Sequence, residues 1–398
     1  MSERDPLLEY REEFPILGHT NYLVSNSLGA MPRGVPQRLS EYAEAWATHG
    51  VRAWAKSWWA LPGEVGDVIA PLIGAGEGQV VMVPNVTLAQ STILSAVPLR
   101  PPRNRIVMTA LDFPSVRYAF DALGARLGAE IVVVPSDDGI GIDEDALLAA
   151  IDERVALVAI SHVLFKSAWI VDVERVTRHA HAAGALVSLD AFHSVGVMPV
   201  DVQAIGADFL TGGVLKWLCG GPGGCFTYAN PRIADRLEPA LTGWLAHARP
   251  FAFEPEMEYV EGAYRWLGGT PAIPSIYAAS EGPRIVHQAG IADIRRKSER
   301  QTARLIELAA ARGFRVHAPL EAARRAGTVA CDVPHAREVA QCLLDRNILV
   351  DFRPGAGIRI APHFYTRDEE IEDAVAAIDE ILATGAWSRY AGHSPVVT

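Results

Sequence analysis

Lysine is rare in this chain: Lys56, Lys166, Lys216 and Lys297 are the only four among 398 residues. Lys216 stands in Gly212-Gly213-Val214-Leu215-Lys216-Trp217-Leu218-Cys219-Gly220-Gly221-Pro222-Gly223-Gly224, between an apolar run and a glycine-rich turn. Burying an ammonium in such a place is costly. Desolvation lowers its pKa and exposes a nucleophilic amine, the state that forms a Schiff base with an aldehyde. Upstream, Asp190 ends the run Ala185-Leu186-Val187-Ser188-Leu189, which reads as a buried parallel strand. An aspartate ending such a strand and a lysine on the following unit are the two groups that pyridoxal phosphate (PLP) requires. One takes the aldehyde and the other faces the pyridinium nitrogen. The competing reading is a satisfied structural lysine beside a turn.

Other residues carry weaker signals. Asn85-Val86-Thr87 follows the strand ending Val83-Pro84 and opens a helix. Backbone amides and a hydroxyl at a helix start hold a phosphate, and an ordinary N-cap has the same pattern. Arg359 lies in Gly357-Ile358-Arg359-Ile360-Ala361-Pro362, an apolar strand in which an unpaired guanidinium is costly. The α-carboxylate of an amino acid would match its bidentate fork, and a structural salt bridge is the alternative. Phe113 and His193 are, on residue type alone, an ordinary core phenylalanine and a structural histidine.

The elements that must position these residues alternate. Val80–Val83, Ile106–Met108, Ile131–Val134, Val155–Ile160, Leu186–Leu189, Phe209–Thr211 and Phe226–Tyr228 read as strands, with helical segments such as Val173–Ala183, closed by Gly184, between them. The expected architecture is α/β, with a mostly parallel seven-stranded sheet covered on both faces. Ligands bind such sheets off the strands' carboxyl ends, where Thr87, Asp112, Asp190 and Lys216 fall. Residues 275–398 read as a smaller α/β C-terminal domain, residues 51–274 as the large domain, and residues 1–50 as an arm joining the small one. In the last region, Arg295-Arg296-Lys297-Ser298-Glu299-Arg300 reads as a solvated helix face, and Thr366-Arg367-Asp368-Glu369 as a capping box. Thr328–Asp332 and Ile348–Asp351 read as strands there.

A net charge of −11 argues against nucleic acid or an anionic membrane as partner. No apolar run reaches the ~20 residues of a membrane span, and the first residues lack the regions of a signal peptide. The four cysteines show no metal or redox spacing, so no metal is expected and free thiols in the cytoplasm are.

Ordered blocks across nearly the whole chain resemble kynureninase and, more broadly, class V aminotransferase-like enzymes of PLP fold type I. They are Asn26-Ser27-Leu28-Gly29, Phe113-Pro114, Asp190 with His193, Ser194 and Gly196, then Val200-Asp201, Gly206-Ala207-Asp208-Phe209 and Lys216 to Gly223. Gly243-Trp244 with His247, Gly269-Thr270-Pro271, and Arg359 with Pro362 and Tyr365 complete the series. The resemblance implies Lys216 as the catalytic lysine bearing PLP and Asp190 on the ring nitrogen. It puts Val86, Thr87, His193 and Trp244 around the phosphate and Phe113 stacked on the ring. It places Arg359 and Asn26 on an amino-acid substrate and brings Thr270 to the phosphate from the partner of a homodimer with shared active sites. The implied reaction is hydrolytic Cβ–Cγ cleavage of kynurenine or a related γ-oxo amino acid, releasing alanine.

Three departures bear on that reaction. Leu215 stands where the family has tyrosine, Val24-Ser25 where it has aspartate and glycine, and Phe165-Lys166-Ser167-Ala168 where it reads Tyr-Arg-Ser/Thr-Gly. An aminotransferase or another PLP-dependent lyase shares Lys216, Asp190 and Arg359 and stays open. A cysteine desulfurase would need a loop cysteine shortly before Arg359, and none stands between Ile348 and Arg359; a non-catalytic PLP-binding regulatory protein, the remote alternative, would be expected to lose Lys216 or Arg359 or to append a DNA-binding module, and this chain does neither.

Overall fold

The computed structural model describes residues 5–392; the ends of the expected arm and C-terminal domain, 1–4 and 393–398, lie outside the described residues. The seven β-branched runs form one sheet: β1 (Val80–Val83), β2 (Arg105–Thr109), β3 (Glu130–Val134), β4 (Val155–Ser161), β5 (Leu186–Asp190), β6 (Phe209–Gly213) and β7 (Cys225–Ala229). Their order is β1-β7-β6-β5-β4-β2-β3. The four pairs between β6 and β3 are parallel, while β7 runs antiparallel to both β1 and β6. Every side chain of β1, β4, β6 and β7 is buried, as strands covered on both faces require.

Helices α1 (Val86–Ala96), α2 (Pro114–Leu127) and α3 (Val173–Ala183) follow β1, β2 and β4. The last begins where the Asp172 carboxylate accepts from the Arg175 amide and ends at Gly184, whose φ of 80° needs no Cβ. Asp112 holds two strand ends together: its carboxylate accepts from the amides of Thr109 and Ser161, each at 2.7 Å. This aspartate at the ligand-binding edge is therefore committed to the backbone.

A second sheet of β8 (Arg315–Val316), β9 (Val329–Asp332), β10 (Asp351–Arg353) and β11 (Gly357–Ile360) is antiparallel in the order β10-β11-β9-β8. Helices α4 (Ile291–Ala310) and α5 (Asp368–Thr384) belong to the same half of the chain. The N-terminal stretch docks here: Asn21–Tyr22 pairs with Ile348–Leu349, and Arg11 forks onto Glu370 at 2.5 and 2.9 Å. The following helix, Val35–His49, packs instead toward Ile273–Ala279, with the Tyr42 and Tyr277 rings 5.9 Å apart.

Three expectations are corrected. The basic stretch of α4 is only half solvated, because the helical period carries Lys297 inward, where its amine donates to the Phe364 carbonyl at 2.6 Å and meets Asp5 at 2.7 Å. The α5 capping box starts one residue later: the Arg367 amide donates to Glu370, while the Thr366 hydroxyl accepts from the His363 amide. The strand expected over 348–351 is broken at Val350, with Ile348–Leu349 and Asp351–Arg353 in different sheets.

One buried contact ties the C-terminal half to the lysine turn. His363 Nε2 donates to the Trp217 carbonyl at 2.8 Å, and burial depresses the His363 pKa to about 3. His162 is likewise depressed to about 4 by burial. A histidine whose pKa is lower in the folded state contributes fully above its unfolded pKa near 6.5, and its contribution falls as pH drops from there toward the folded value. Unfolding free energy should thus decrease from pH 7 to pH 5. His363→Gln, which keeps a donor without a titration, should remove about 2 kcal/mol of that decrease. Denaturant melts at pH 7, 6 and 5 measure it, and an unchanged slope in the variant would refute the assignment.

Candidate active site

The lysine loop is shaped by glycines that let other segments approach. A Cβ on Gly213 would stand 1.8 Å from the Phe192 ring, and one on Gly29 would stand 2.2 Å from the Lys216 carbonyl. The Gly29 amide donates to the Leu215 carbonyl at 2.8 Å, so the N-terminal segment Asn26–Gly29 is clipped to the loop. With the backbone fixed in this way, the Lys216 side chain enters a cavity of about 260 Å³ at the carboxyl ends of the parallel strands.

Lys216, Asp190, His193, Phe113, Val86, Asn26 and Arg359, all expected from the sequence, line this one cavity. The Lys216 amine sits 2.7 Å from His193 Nε2, 4.8 Å from the centre of the Phe192 ring and 5.6 Å from that of Phe113. Burial lowers the Lys216 pKa, and the nearby Arg359 lowers it further while Asp190 opposes the shift. Burial raises the Asp190 carboxyl against the hydrogen bond from the Phe192 amide. His193, expected at a phosphate, lies against the amine itself; burial and then the neighbouring cations keep it neutral.

Arg359 has a partner, which corrects the premise that it lacks one. Its Nε donates to Asp351 Oδ1 at 2.7 Å, its Nη2 pairs with Asp351 Oδ2, and its Nη1 donates to the Phe165 carbonyl at 2.5 Å. Asp351 is fully buried and also meets Arg353 Nη2 at 3.1 Å. Arg353, Ser27, Ser161, Phe165 and Phe192 line the cavity too and were missed. Register would have found the Asp351–Arg359 pair, because β10 and β11 form a hairpin in which these residues are direct partners.

Asn26 is the opposite case. It is fully buried, and neither its amide nitrogen nor its oxygen has a hydrogen-bond partner. Orphaned buried polar atoms cost about 1–3 kcal/mol each, so a cavity-lining asparagine in this state points to a ligand.

Thr87, Trp244 and Thr270 are not brought into this cavity. Thr87 is the second residue of α1, where the Asn85 side chain takes the Leu88 amide and leaves the preceding amides at the helix start. Trp244 packs edge-on against Trp59 at 5.5 Å and near Phe251 and Phe253. Thr270 is exposed and lines a separate cavity of about 330 Å³ with Leu88, Thr92, Gly223 and Leu241. Among the described residues no cluster of histidine, cysteine, aspartate and glutamate is arranged to hold a metal.

The cavity fits PLP. Asp190 is a buried carboxyl that a facing cation would return to its charged form, Lys216 offers a desolvated amine, Phe113 presents a ring, and Val86 brings a helix N-terminus into the wall.

The aminotransferase class-V family model matches residues 21–366. Kynureninase from Pseudomonas fluorescens is 33% identical over 404 residues, covering 98% of this chain and 95% of its own. A cysteine desulfurase from Thermococcus onnurineus NA1 superposes with a TM-score of 0.84 at 23% identity, covering 96% of this chain and 99% of its own. C-DES, solved with glycine covalently linked to its PLP cofactor, reaches 0.83 at 19% identity over 93% and 99% of the two chains. The solved structures speak to the fold, which is PLP fold type I; the family match and the curated relative speak to descent. The chain belongs to the aminotransferase class-V family, among its kynureninase-like members.

Proposed function

We propose that this protein is a PLP-dependent hydrolase that cleaves the Cβ–Cγ bond of kynurenine or a related γ-oxo amino acid, giving a carboxylic acid and alanine. The observation that carries the reading is one cavity joining a desolvated lysine, a buried aspartate and an arginine with donors to spare. The kynureninase relatives supply the choice of reaction. Bound PLP supplies an electron sink that stabilises negative charge next to the amino-bearing carbon.

The chain's own residues divide the remaining work. Arg359 grips the α-carboxylate, and the Asn26 amide, buried without partners, donates to the same end of the substrate. Lys216, whose amine burial biases toward the neutral form, takes the proton from Cα as general base. Neutral His193 accepts from that amine at 2.7 Å and holds it in the cavity. Asp190 keeps the ring nitrogen protonated, and the start of α1 with Val86 and Thr87 receives the phosphate. The ring of Phe113 covers the cofactor face. Water adds across the cleaved bond, so one oxygen ends in the released acid and one proton on the alanine methyl carbon.

Trp244 and Thr270 belong to the second half of the same reading. Thr270 is exposed beside an apolar cavity, with Leu88 and Leu241 also exposed there. A two-fold partner would cover this surface and receive Thr270 at its phosphate, while Trp244 is read at the phosphate of its own chain. A cytoplasmic setting goes with four buried, unpaired cysteines. No described helix is long and apolar enough to cross a membrane.

Four outcomes test the reading. Borohydride reduction of the PLP-loaded protein should leave the pyridoxyl group on the peptide holding Trp217, and recovery on Lys56, Lys166 or Lys297 would refute the lysine assignment. Incubation with kynurenine or 3-hydroxykynurenine should release an anthranilate-type fluorophore and alanine in equal amounts. If neither forms but added 2-oxoglutarate becomes an amino acid, the protein is an aminotransferase. Asn26→Leu, nearly isosteric, should raise ligand-free unfolding free energy by about 1 kcal/mol while weakening substrate binding; a fall in both would mark Asn26 as purely structural. For the dimer, sedimentation showing an active monomer would exclude a shared site.

A further inference from the structure

A buried chain of polar side chains ties α1 to the central sheet. In β5, Ser188 and Asp190 are two residues apart and so point to the same face. Thr211 of β6 stands beside Asp190 in the parallel register, which brings its side chain to that face too. Gln90 of α1 reaches both hydroxyls: Ser188 Oγ donates to its Oε1 at 2.9 Å, and its Nε2 donates to Thr211 Oγ1 at 2.8 Å. Thr211 passes its own hydrogen to the Leu189 carbonyl at 3.5 Å, so the chain runs in one direction. All three side chains are buried. Among the described residues, Gln90 is the one α1 side chain hydrogen-bonded to the central sheet; Ser95, near the other end, accepts from the Leu241 amide. The remaining buried residues of α1, Val86, Ala89, Ile93, Leu94 and Ala96, join an apolar cluster. Apolar burial is non-directional and does little to fix where a helix stops along its own axis.

We propose that Gln90 is a positioning residue that locks the start of α1 to the strand end bearing Asp190, and so sets the span between the cofactor's phosphate and its ring nitrogen. The inference rests on the proposed seating of PLP between those two places. Gln90 lies four residues past Val86, about 6 Å along the helix axis. Any slide of α1 therefore carries the amides at its start by the same amount. Asp190 does not follow, because the parallel ladder holds its strand to β6, with the Ala191 amide on the Thr211 carbonyl at 2.7 Å. Hydrogen bonds from those amides to a phosphate weaken steeply as length and angle leave their optimum. Lys216, Asp190 and Phe113 are carried by other segments, so the ring end of the site is indifferent to the slide.

Pyridoxal has the ring, nitrogen and aldehyde of PLP and lacks only the phosphate. Dissociation constants of both, read from absorbance on the full chain freed of cofactor, test the role of Gln90. Combining Gln90→Met, Ser188→Ala and Thr211→Val replaces the network by apolar groups of similar shape, a change that spares stability. This triple variant should lose at least about tenfold in PLP affinity and less than about twofold in pyridoxal affinity. Ser188→Ala alone, which cuts one of the two bonds to Gln90, should lose part of the same advantage and decides the matter if the triple variant does not fold. Equal weakening of both ligands would mark the network as purely structural and overturn the proposal. A wild type that prefers PLP, with a variant that keeps the full preference, removes the role of Gln90 and leaves the seating of PLP intact. A wild type that binds PLP no better than pyridoxal puts no phosphate at the helix start, and the seating falls together with the proposal.

Discussion

The removal of one amine from water governs the geometry of this protein. Lys216 can be desolvated only if its backbone is enclosed, and the enclosure draws on segments far apart in sequence. Gly29 lies against the Lys216 carbonyl, Phe192 fills the space beside Gly213, and His363 holds the Trp217 carbonyl. None of these contacts is local, so the reactive state of the amine exists only when both halves of the chain are folded together. The same enclosure makes the neighbouring groups interdependent. His193 stays neutral partly because cations surround it, and Asp190 is charged only to the extent that a cation faces it.

The substrate end follows a different logic. An arginine in a fully buried antiparallel strand must have its donors met whether or not a ligand is present, because an uncompensated buried charge costs several kcal/mol. Asp351, directly across the hairpin, meets that requirement with one edge of the guanidinium. The other donors stay oriented rather than free to rotate, and a ligand that uses them does not have to immobilise the side chain. The structural salt bridge is present and occupies one edge of the group, which leaves the other edge for the carboxylate clamp we propose.

What the sequence disclosed follows the same division. The seven central strands were legible because parallel strands covered on both faces must be continuously apolar, and Lys216 because a charge is conspicuous there. The site residues near it were legible through the order of family blocks. Asp351, Arg353 and Phe192 were not, since their roles depend on hairpin register and on a ring packed over a glycine, which one-dimensional spacing does not encode. Lys297 was misread for a similar reason: in a run of charges, only the helical phase against Phe364 and Asp5 decides which charge turns inward. Trp244 and Thr270 both lie outside the cavity of their own chain; the resemblance brings Thr270 from a partner but puts Trp244 at the phosphate, and the packing of Trp244 against Trp59, Phe251 and Phe253 is not readable from its position in the family order.

Leu215 shows where chemistry and packing separate. Its carbonyl carries the contact to Gly29, a backbone function that any residue performs, and its side chain only lines the cavity. A hydroxyl there would be a further donor in the cavity wall; a leucine offers none, and in the proposed reading phosphate binding falls to the start of α1. That places more of the anion's stabilisation on backbone amides, whose positions are fixed by Asn85 capping and by the burial of β1. The titratable side chains of the cavity are concentrated around the amine and Arg359, where Lys216, His193, Asp190, Asp351 and Arg353 sit within one shared field.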